Sequence, residues 1–336
     1  MARQGRFRDW LVYVLVRLAA MIFQIFPIDW NLATARVLAR FWARVMPRHR
    51  RRAIEHLRLA YGSSLTDAEI RRLAIASMEQ LTMLAMETLF VTRLLSEWTW
   101  PRYVRLRHID RGLRVLLRGR GAILVTGHYG SWEICGFMLA TLGFPVVAVM
   151  RPLDNPYLNR YLLDVRARRG LRLLYKKGAS RSADDVLASG GTLAFIADQN
   201  AGHKGLFVDF FGVRASTYKS IGLLAIRHHV PVVVGYARRL SPRFQYEVGV
   251  HRVIEPSEWA GRPDELLWLT QEFTRGIEEM VREHPEQYLW IHRRWKSRPR
   301  DERNGPAVQA ATGKATGSPG QPDDDPSPGP EELPTV

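Results

Sequence analysis

Short apolar segments alternate with helical segments along the last two thirds of the chain, and this alternation limits the fold more than any other feature. Helical patterns also dominate the region before residue 99. Strands are predicted at 122–126, 145–150, 192–197, 231–236 and 246–250, and helices between them at 155–169, 180–189, 217–229 and 264–283. Strands that are apolar throughout are buried on both faces. The sequence therefore predicts an α/β fold with a mostly parallel sheet flanked by helices.

An apolar segment at residues 11–28 is interrupted only by Arg17 and Gln24 and is flanked by Trp10 and Trp30. As a helix it would be ~27 Å long, just short of the hydrocarbon core of a bilayer. A short membrane span and a helix lying in the interface fit equally well, and a buried core helix is a third interpretation. A cleaved signal peptide fits less well because Arg17 lies inside the apolar part. We expect residues 1–30 to form an N-terminal helical membrane anchor.

Charge is distributed unevenly along the 336 residues, which carry a net charge of +16. Residues 301–336 contain seven acidic and two basic residues, are rich in Pro, Gly and Ala, and include no aromatic residue. Such a segment buries too little apolar surface to offset its ordering entropy, so it is predicted to be a disordered acidic tail. The catalytic α/β domain would then cover residues 31–300, and its positive charge favours an anionic partner surface.

Arginines are more numerous after the apolar segment than before it. This excess predicts that the main domain faces the cytoplasm. There the downstream arginines would contact anionic lipid, unless they only form a solvated helix face. They are Arg36, Arg40, Arg44, Arg48, Arg50, Arg51 and Arg52. The single cysteine, Cys135, is consistent with a reducing compartment.

Ligands of open α/β sheets bind beyond the carboxyl ends of the strands, which directs attention to the loops at 127–133, 151–156 and 198–200. The first loop reads GHYGSWE, and its glycines allow a tight turn that can bring Glu133 back to His128. An imidazole oriented by a carboxylate can take a proton from a hydroxyl, and acyl transfer from a thioester then needs no serine or cysteine nucleophile. The alternative is a structural histidine and a first-turn helix carboxylate.

Competing chemistries have less support in the sequence. Cys135 precedes an apolar stretch and is interpreted as a packing residue. His203, His228 and His229 form no recognisable ligand set, so neither a metal nor a cofactor is expected. The basic, tryptophan-containing segment at 290–300 suits a membrane rim as well as a nucleic acid, and no nucleic-acid-binding motif is present.

Five elements, in order, resemble the lipid A late acyltransferases, the lauroyl and myristoyl transferases of the lysophospholipid and glycerolipid acyltransferase superfamily. They are HYGSWE for H-x4-D/E, RPLDNP for R-P-x-x-N-P, IADQN for D-Q, GLFVDFFGVRAST for F-F-G-x-x-A-x-T, and the terminal PEQYLWIHRRWKSRP. With the N-terminal segment, the resemblance covers residues 10–299. It implies a glycerolipid acyltransferase-like fold at the bacterial inner membrane.

The resemblance also implies an activity and a set of site residues. The enzyme would move a fatty acyl chain from acyl carrier protein or coenzyme A to a hydroxyl of a lipid A precursor or similar glycolipid. His128 would be the general base and Glu133 its orienting carboxylate. Arg151 would bind phosphate or stabilise the oxyanion, or else pair with a local carboxylate. The other implied substrate-binding residues are Asn155, Asp198 and Gln199.

Lys219 departs from the family pattern, because many relatives carry small residues after the FFG element. It would add a cation near the acceptor pocket, or simply lie on the surface. The acceptor therefore stays open between a lipid A precursor, another glycolipid and a lysophospholipid. A noncatalytic lipid-binding relative would be expected to lack His128 or Glu133, and both are present.

Overall fold

The computed structural model describes residues 2–150, 152–167, 172–175 and 179–299. The helices are α1 (Ala2–Ile25), α2 (Ile28–Val45), α3 (Pro47–Tyr61), α4 (Asp67–Thr88), α5 (Val91–Leu94), α6 (Ile109–Leu117), α7 (Trp132–Thr141), α8 (Pro156–Ala167), α9 (Ala179–Ala188), α10 (Ser220–His228), α11 (Pro256–Trp259) and α12 (Glu265–Glu283). The strands are β1 (Val104–Arg107), β2 (Ala122–Thr126), β3 (Val146–Met150), β4 (Arg172–Tyr175), β5 (Thr192–Ile196), β6 (Leu206–Phe210), β7 (Val213–Thr217), β8 (Val232–Arg239) and β9 (Tyr246–Ile254). Short 3-10 helices cover 62–64, 100–102 and 285–287.

Seven strands form one sheet in the order β1-β9-β8-β2-β5-β3-β4. All neighbouring pairs are parallel except β8 and β9, so the predicted α/β fold with a mostly parallel sheet is confirmed. The five predicted strands are β2, β3, β5, β8 and β9. The sequence pattern did not identify β1 and β4, because these edge strands are short and contain arginines that interrupt the apolar run.

A separate hairpin, formed by β6 and β7, was also not predicted. Its two-residue turn consists of Phe211 at φ 58° and Gly212 at φ 71°, the positive values that tight hairpins require. The helix predicted at 217–229 begins only at Ser220, because Thr217 completes β7. The hairpin contacts α12 and, through Arg294, the segment that follows α12.

The N-terminal third is helical, as predicted, and α4 is its central element. Helix α4 begins with a capping box in which Thr66 and Glu69 satisfy each other's backbone donors. At its other end, buried Glu87 accepts hydrogen bonds from Arg239 of β8 and Tyr246 of β9. This buried network joins the helical layer to the sheet, because separating its partners would leave an uncompensated charge in the interior.

The apolar N-terminal segment is divided between two helices. Helix α1 ends at Ile25, and Pro27 precedes the start of α2. The Asn31 amide donates to the Phe23 carbonyl at 2.8 Å, which fixes the corner. Within the residues that the structure describes, no helix is long and apolar enough to cross a membrane. The membrane-span interpretation is therefore not supported, and the predicted acidic tail at 301–336 lies outside the described residues.

Candidate active site

The loop that follows β2 is a sharp turn closed by backbone hydrogen bonds. Gly130 has φ +58°, and a Cβ there would lie 2.0 Å from the Ala237 carbonyl oxygen, so only glycine fits. The Gly130 amide donates to the Gln287 carbonyl at 3.0 Å, and the Ser131 amide donates to that of Ala237 at 2.8 Å. The turn is thus held by β8 and by the C-terminal segment.

His128 is paired with Asp198 through two contacts. Its Nδ1 lies 2.7 Å from Asp198 Oδ1, and its backbone N–H donates to Asp198 Oδ2 at 2.9 Å. The register of β2 and β5 pairs Thr126 with Ile196, so His128 and Asp198 each come two residues after paired positions. Both oxygens of one carboxylate therefore fix the ring and the backbone of a single histidine.

Asp198 is almost completely buried, at 2% exposure. Burial by itself would raise the pKa of this carboxyl, but the charge of His128 and the hydrogen bonds from it outweigh burial and hold the pKa well below its usual range. Asp198 is therefore an anion at neutral pH. A carboxylate in this position accepts a hydrogen bond from Nδ1–H and leaves Nε2 of His128 as the free acceptor.

Glu133 does not contact His128, which corrects the role that the sequence interpretation gave it. It lies in the first turn of α7 and pairs with Arg166 of α8. Arg166 Nε donates to Oε2 at 3.0 Å, and Nη2 donates to Oε1. Because α7 starts at Trp132, the carboxylate points towards α8 and does not return to the end of β2. Asp198 occupies the position that was assigned to Glu133.

Two aromatic rings enclose the imidazole of His128. His292 stacks on it with ring centroids 5.2 Å apart at 26°, and Trp132 meets it edge-on at 5.0 Å. Burial lowers the pKa of His292 to about 3, so its ring is neutral at neutral pH. Neither ring nitrogen of His292 has a hydrogen-bond partner among the described residues. Sequence reasoning missed His292, although it lies in the terminal segment that contributed to the resemblance.

Part of the terminal segment forms a buried wall of the site, while its Arg293 and Lys296 are exposed. Trp290, Arg294 and Trp295 are 0%, 1% and 6% exposed. The Leu289 amide donates to the His128 carbonyl at 2.9 Å. Arg294 donates to the carbonyls of Gln199 and Ser216 and, at 2.7 Å, to Thr217 Oγ1. One guanidinium thus ties the loop after β5 to the β6–β7 hairpin.

The other predicted substrate-binding residues have different environments. Asn155 caps α8, since its Oδ1 accepts from two backbone amides of the first turn and its Nδ2 donates to the Asp9 carbonyl at 2.8 Å. This amide is committed to the fold and is not free for substrate. The Gln199 side chain is exposed, and Lys219 is exposed at the start of α10 with no described contact to His128. Arg151 lies outside the described residues.

An apolar cavity extends from Glu133 and Arg166 between the sheet and helices α6 and α7. Those two residues are the only charged ones in its described lining. Its apolar walls include Leu113, Leu124, Cys135, Leu139, Ala194 and Val233. Burial raises the pKa of the Cys135 thiol to about 12. That thiol is therefore protonated at neutral pH, in agreement with the packing role expected for it.

One group of three potential metal ligands occurs in the described part of the chain. It consists of His128, Asp198 and His292, whose ligand atoms lie within 4.8 Å of one another. The short contact between His128 Nδ1 and Asp198 Oδ1 already commits two of these atoms to each other. The arrangement therefore fits a hydrogen-bonded histidine–carboxylate pair better than a tetrahedral ligand set.

The fold is an α/β fold, and the site combines a histidine–carboxylate pair with an apolar cavity nearby. The profile of the bacterial lipid A biosynthesis acyltransferase family matches residues 4–297, and the chain belongs to this family. It is 25% identical over 300 residues to the lipid A biosynthesis lauroyltransferase of Escherichia coli (strain K12), covering 87% of this chain and 93% of that protein.

Two further relatives extend the comparison. The lipid A biosynthesis palmitoleoyltransferase of the same organism is 28% identical over 211 residues, 60% of this chain and 66% of that protein. A phosphatidylinositol mannoside acyltransferase of Mycolicibacterium smegmatis is 32% identical over 108 residues, 31% and 36% of the two chains. The resemblance to lipid A acyltransferases is confirmed, and the protein is an acyltransferase.

Proposed function

We propose that this acyltransferase moves a fatty acyl chain from a thioester to a hydroxyl of a lipid A precursor, with His128 as general base. The observation that carries the proposal is the pairing of His128 with buried Asp198 at the carboxyl edge of the sheet, beside the apolar cavity. Family membership supports the reaction class and the lipid A acceptor. The thioester would be carried by acyl carrier protein or coenzyme A.

The proposed reaction is one displacement at the thioester carbonyl. Asp198 accepts a hydrogen bond from Nδ1–H of His128. The unprotonated Nε2 then takes the proton of the acceptor hydroxyl. The hydroxyl oxygen forms a bond to the acyl carbon, and the carbon–sulfur bond breaks. The leaving thiolate then takes the proton from the imidazolium. No covalent enzyme intermediate is needed, consistent with the protonated state of the Cys135 thiol.

We assign the apolar cavity to the acyl chain of the donor. Its walls offer hydrocarbon contacts, and burial of each methylene contributes about 0.8 kcal/mol. Glu133 and Arg166 lie at one end of this cavity as a compensated ion pair. We propose that the pair positions the polar end of the chain and fixes α7 against α8, so that Glu133 acts through Arg166 and not through His128.

We propose that the protein binds the cytoplasmic face of the bacterial inner membrane through an interfacial N-terminal region. Large apolar side chains are exposed along α1 and α2, among them Trp10, Leu15, Ile22, Trp30, Val37 and Phe41. Such a surface is rarely left in water, and the arginines on α2 and α3 would add attraction to anionic headgroups. The proposed binding mode is a helix in the interface plane.

Another glycolipid acceptor is the second candidate. It is favoured by the similarity to a protein whose name assigns it acylation of phosphatidylinositol mannoside. That similarity covers only 31% of this chain, whereas the lauroyltransferase similarity covers 87%. The lipid A precursor is therefore the first choice.

Mass spectrometry of lipids from cells that express the wild-type chain or His128→Ala tests the proposal. A lipid that is heavier by one acyl group only with the wild type would support it and would identify both the acceptor and the chain length. Measurement in the source organism ensures that the native acceptor is present. Identical lipid profiles there, with both proteins folded and equally abundant, would refute the catalytic assignment.

A further inference from the structure

A second cavity, of about 710 Å³, lies between α1, α8 and the segment that follows α4. Its charged lining comprises Arg6, Arg17, Arg93, Arg160 and a single acid, Asp164. We call this cavity the basic groove. It shares no lining residue with the apolar cavity next to His128 and is a separate feature of the molecule.

The arginines of the basic groove are not neutralised within the protein. Among the described residues, none of the four forms an ion pair with a carboxylate; Arg17 is half-buried, and the other three are exposed at the groove. Asp164 is exposed and offsets one positive charge at most. Four guanidinium groups around one cavity repel one another, so an anion that enters the groove is attracted strongly.

Two of these arginines are held in place by uncharged groups. The guanidinium carbon of Arg17 lies 4.6 Å from the centroid of the Tyr161 ring, and its Nη1 donates to the Tyr13 hydroxyl at 3.2 Å. Arg93 donates to the Gln24 carbonyl at 3.0 Å. These contacts restrict the side chains without cancelling their charge. Less conformational entropy is therefore lost when they bind a ligand.

The position of the groove indicates where its ligand comes from. Arg6, Tyr13, Arg17 and Gln24 are spaced by seven, four and seven residues, so they lie on one face of α1. Other positions of the helix expose apolar residues, including Leu15 at 56% and Ile22 at 57% exposure. If α1 lies in the membrane interface, as proposed above, the groove opens at the depth of the lipid headgroups.

We propose that the basic groove binds the anionic, phosphate-bearing headgroup of a membrane lipid. Guanidinium groups match the oxygens of phosphate in bidentate geometry, and the tyrosine hydroxyls of the lining add further donors. The volume exceeds what a bare phosphate fills and suits a headgroup. This inference rests on the proposed membrane association but not on the proposed chemistry, since no residue of the groove belongs to the catalytic machinery.

The test compares two double variants in a His128→Ala background, so that turnover has no influence on binding. Arg17→Gln with Arg160→Gln alters the groove. Arg111→Gln with Arg120→Gln is the matched control. Both residues are exposed and have no described ion pair, and the two substitutions remove the same charge as those in the groove. Binding is measured by vesicle flotation with phosphatidylcholine alone, with phosphatidic acid added, and with oleate added at equal surface charge.

The proposal predicts that the parent and the control prefer phosphatidic acid to oleate vesicles. The groove variant should lose this preference and bind phosphatidic acid vesicles roughly 10- to 30-fold more weakly, as expected for two arginine contacts. All three proteins should bind pure phosphatidylcholine alike, because its choline cation neutralises the charge of its phosphate, and they should melt at the same temperature. Arg93→Gln, an exposed position, serves as a second variant if the double substitution lowers the melting temperature.

Several results would overturn the proposal. Equal losses in the groove variant and the control would indicate diffuse electrostatic attraction, and equal binding to phosphatidic acid and oleate would exclude recognition of phosphate. Thermal stabilisation by glycerol 3-phosphate without vesicles, lost in the groove variant, would identify a free phosphate ligand. Unchanged vesicle binding with a raised KM for acyl carrier protein in the active background would identify a protein-docking site. If the binding result holds but the wild type transfers no acyl group, only the catalytic proposal fails.

Discussion

Replacing Asp198 by asparagine isolates the contribution of the carboxylate, because the side chain keeps its size but loses one of its two acceptor oxygens. In the wild type, Oδ1 accepts from the His128 ring and Oδ2 accepts from the His128 backbone N–H. An asparagine can satisfy only one of these donors. If its NH2 group faces the ring, Nδ1 must become the acceptor and the proton moves to Nε2, which removes the base.

If the NH2 group faces the backbone instead, two buried donors confront each other, at a cost of about 1–3 kcal/mol. The imidazole also loses the negative charge that stabilises its protonated form during transfer. We expect Asp198→Asn to lower kcat by roughly 10² to 10⁴, the range of general acid–base catalysis, with a smaller change in KM.

The assay is acyl transfer by purified protein in detergent, with acyl carrier protein or coenzyme A thioester as donor, over a range of pH. Glu133→Gln is the matched comparison, since it removes the same charge from a carboxylate that does not contact His128. The argument would be refuted if Asp198→Asn, shown to be folded by circular dichroism, kept near-normal turnover. It would also be refuted if Glu133→Gln, and not Asp198→Asn, altered the pH dependence of kcat.

Three further predictions concern the surroundings of the site. Arg166→Met should leave Glu133 as a buried, unpaired charge and lower the free energy of unfolding by roughly 3–5 kcal/mol in urea titrations; a loss below 1 kcal/mol would contradict a buried ion pair. Ala194→Phe fills the apolar cavity and should shift the preferred acyl donor to shorter chains, seen as a change in relative kcat/KM across thioesters; an unchanged ranking would place the acyl chain elsewhere. The pKa of His292 is lowered by burial to about 3, so between pH 6.5 and 3 the unfolded chain binds a proton that the folded protein does not, and stability falls as the pH falls. His292→Gln should therefore lose roughly 2 kcal/mol less stability than the wild type between pH 7 and pH 5. The same pH slope in both proteins would show that His292 is not buried as a neutral group.

The strands of the central sheet were predictable because burial on both faces makes them continuous apolar runs. Edge strands are not continuous apolar runs, so the pattern does not predict them. The sequence indicates the β6–β7 hairpin mainly through its turn residues. The membrane-span interpretation of residues 11–28 is not supported for a related reason. Hydropathy counts residues along a segment but does not register the corner at Pro27, where one helix ends and another begins.

Local sequence patterns do not determine the order of strands in a sheet. For this reason the sequence interpretation assigned Glu133 as the carboxylate that orients His128. Proximity along the chain suggested a carboxylate five residues from His128. In the structure β5 lies beside β2, and its register brings Asp198 opposite His128 across a separation of 70 residues. The family resemblance did draw attention to Asp198, but only as a substrate-binding residue. Its relation to the imidazole requires the sheet topology.

The C-terminal segment shows why a site of this kind depends on the whole domain. The backbone of the His128 loop is bonded to Gln287 and Leu289, while Arg294 fixes the backbone after Asp198. Each half of the histidine–carboxylate pair is therefore held by the same terminal segment, which is the last part of the domain to leave the ribosome. Because a displacement of about 1 Å is enough to lose much of the benefit of positioning, we expect this segment to position the pair without supplying a reacting group. Arg294, Trp290 and Trp295 act inside the protein, whereas the proposed contact with the membrane is assigned to the exposed apolar residues of α1 and α2.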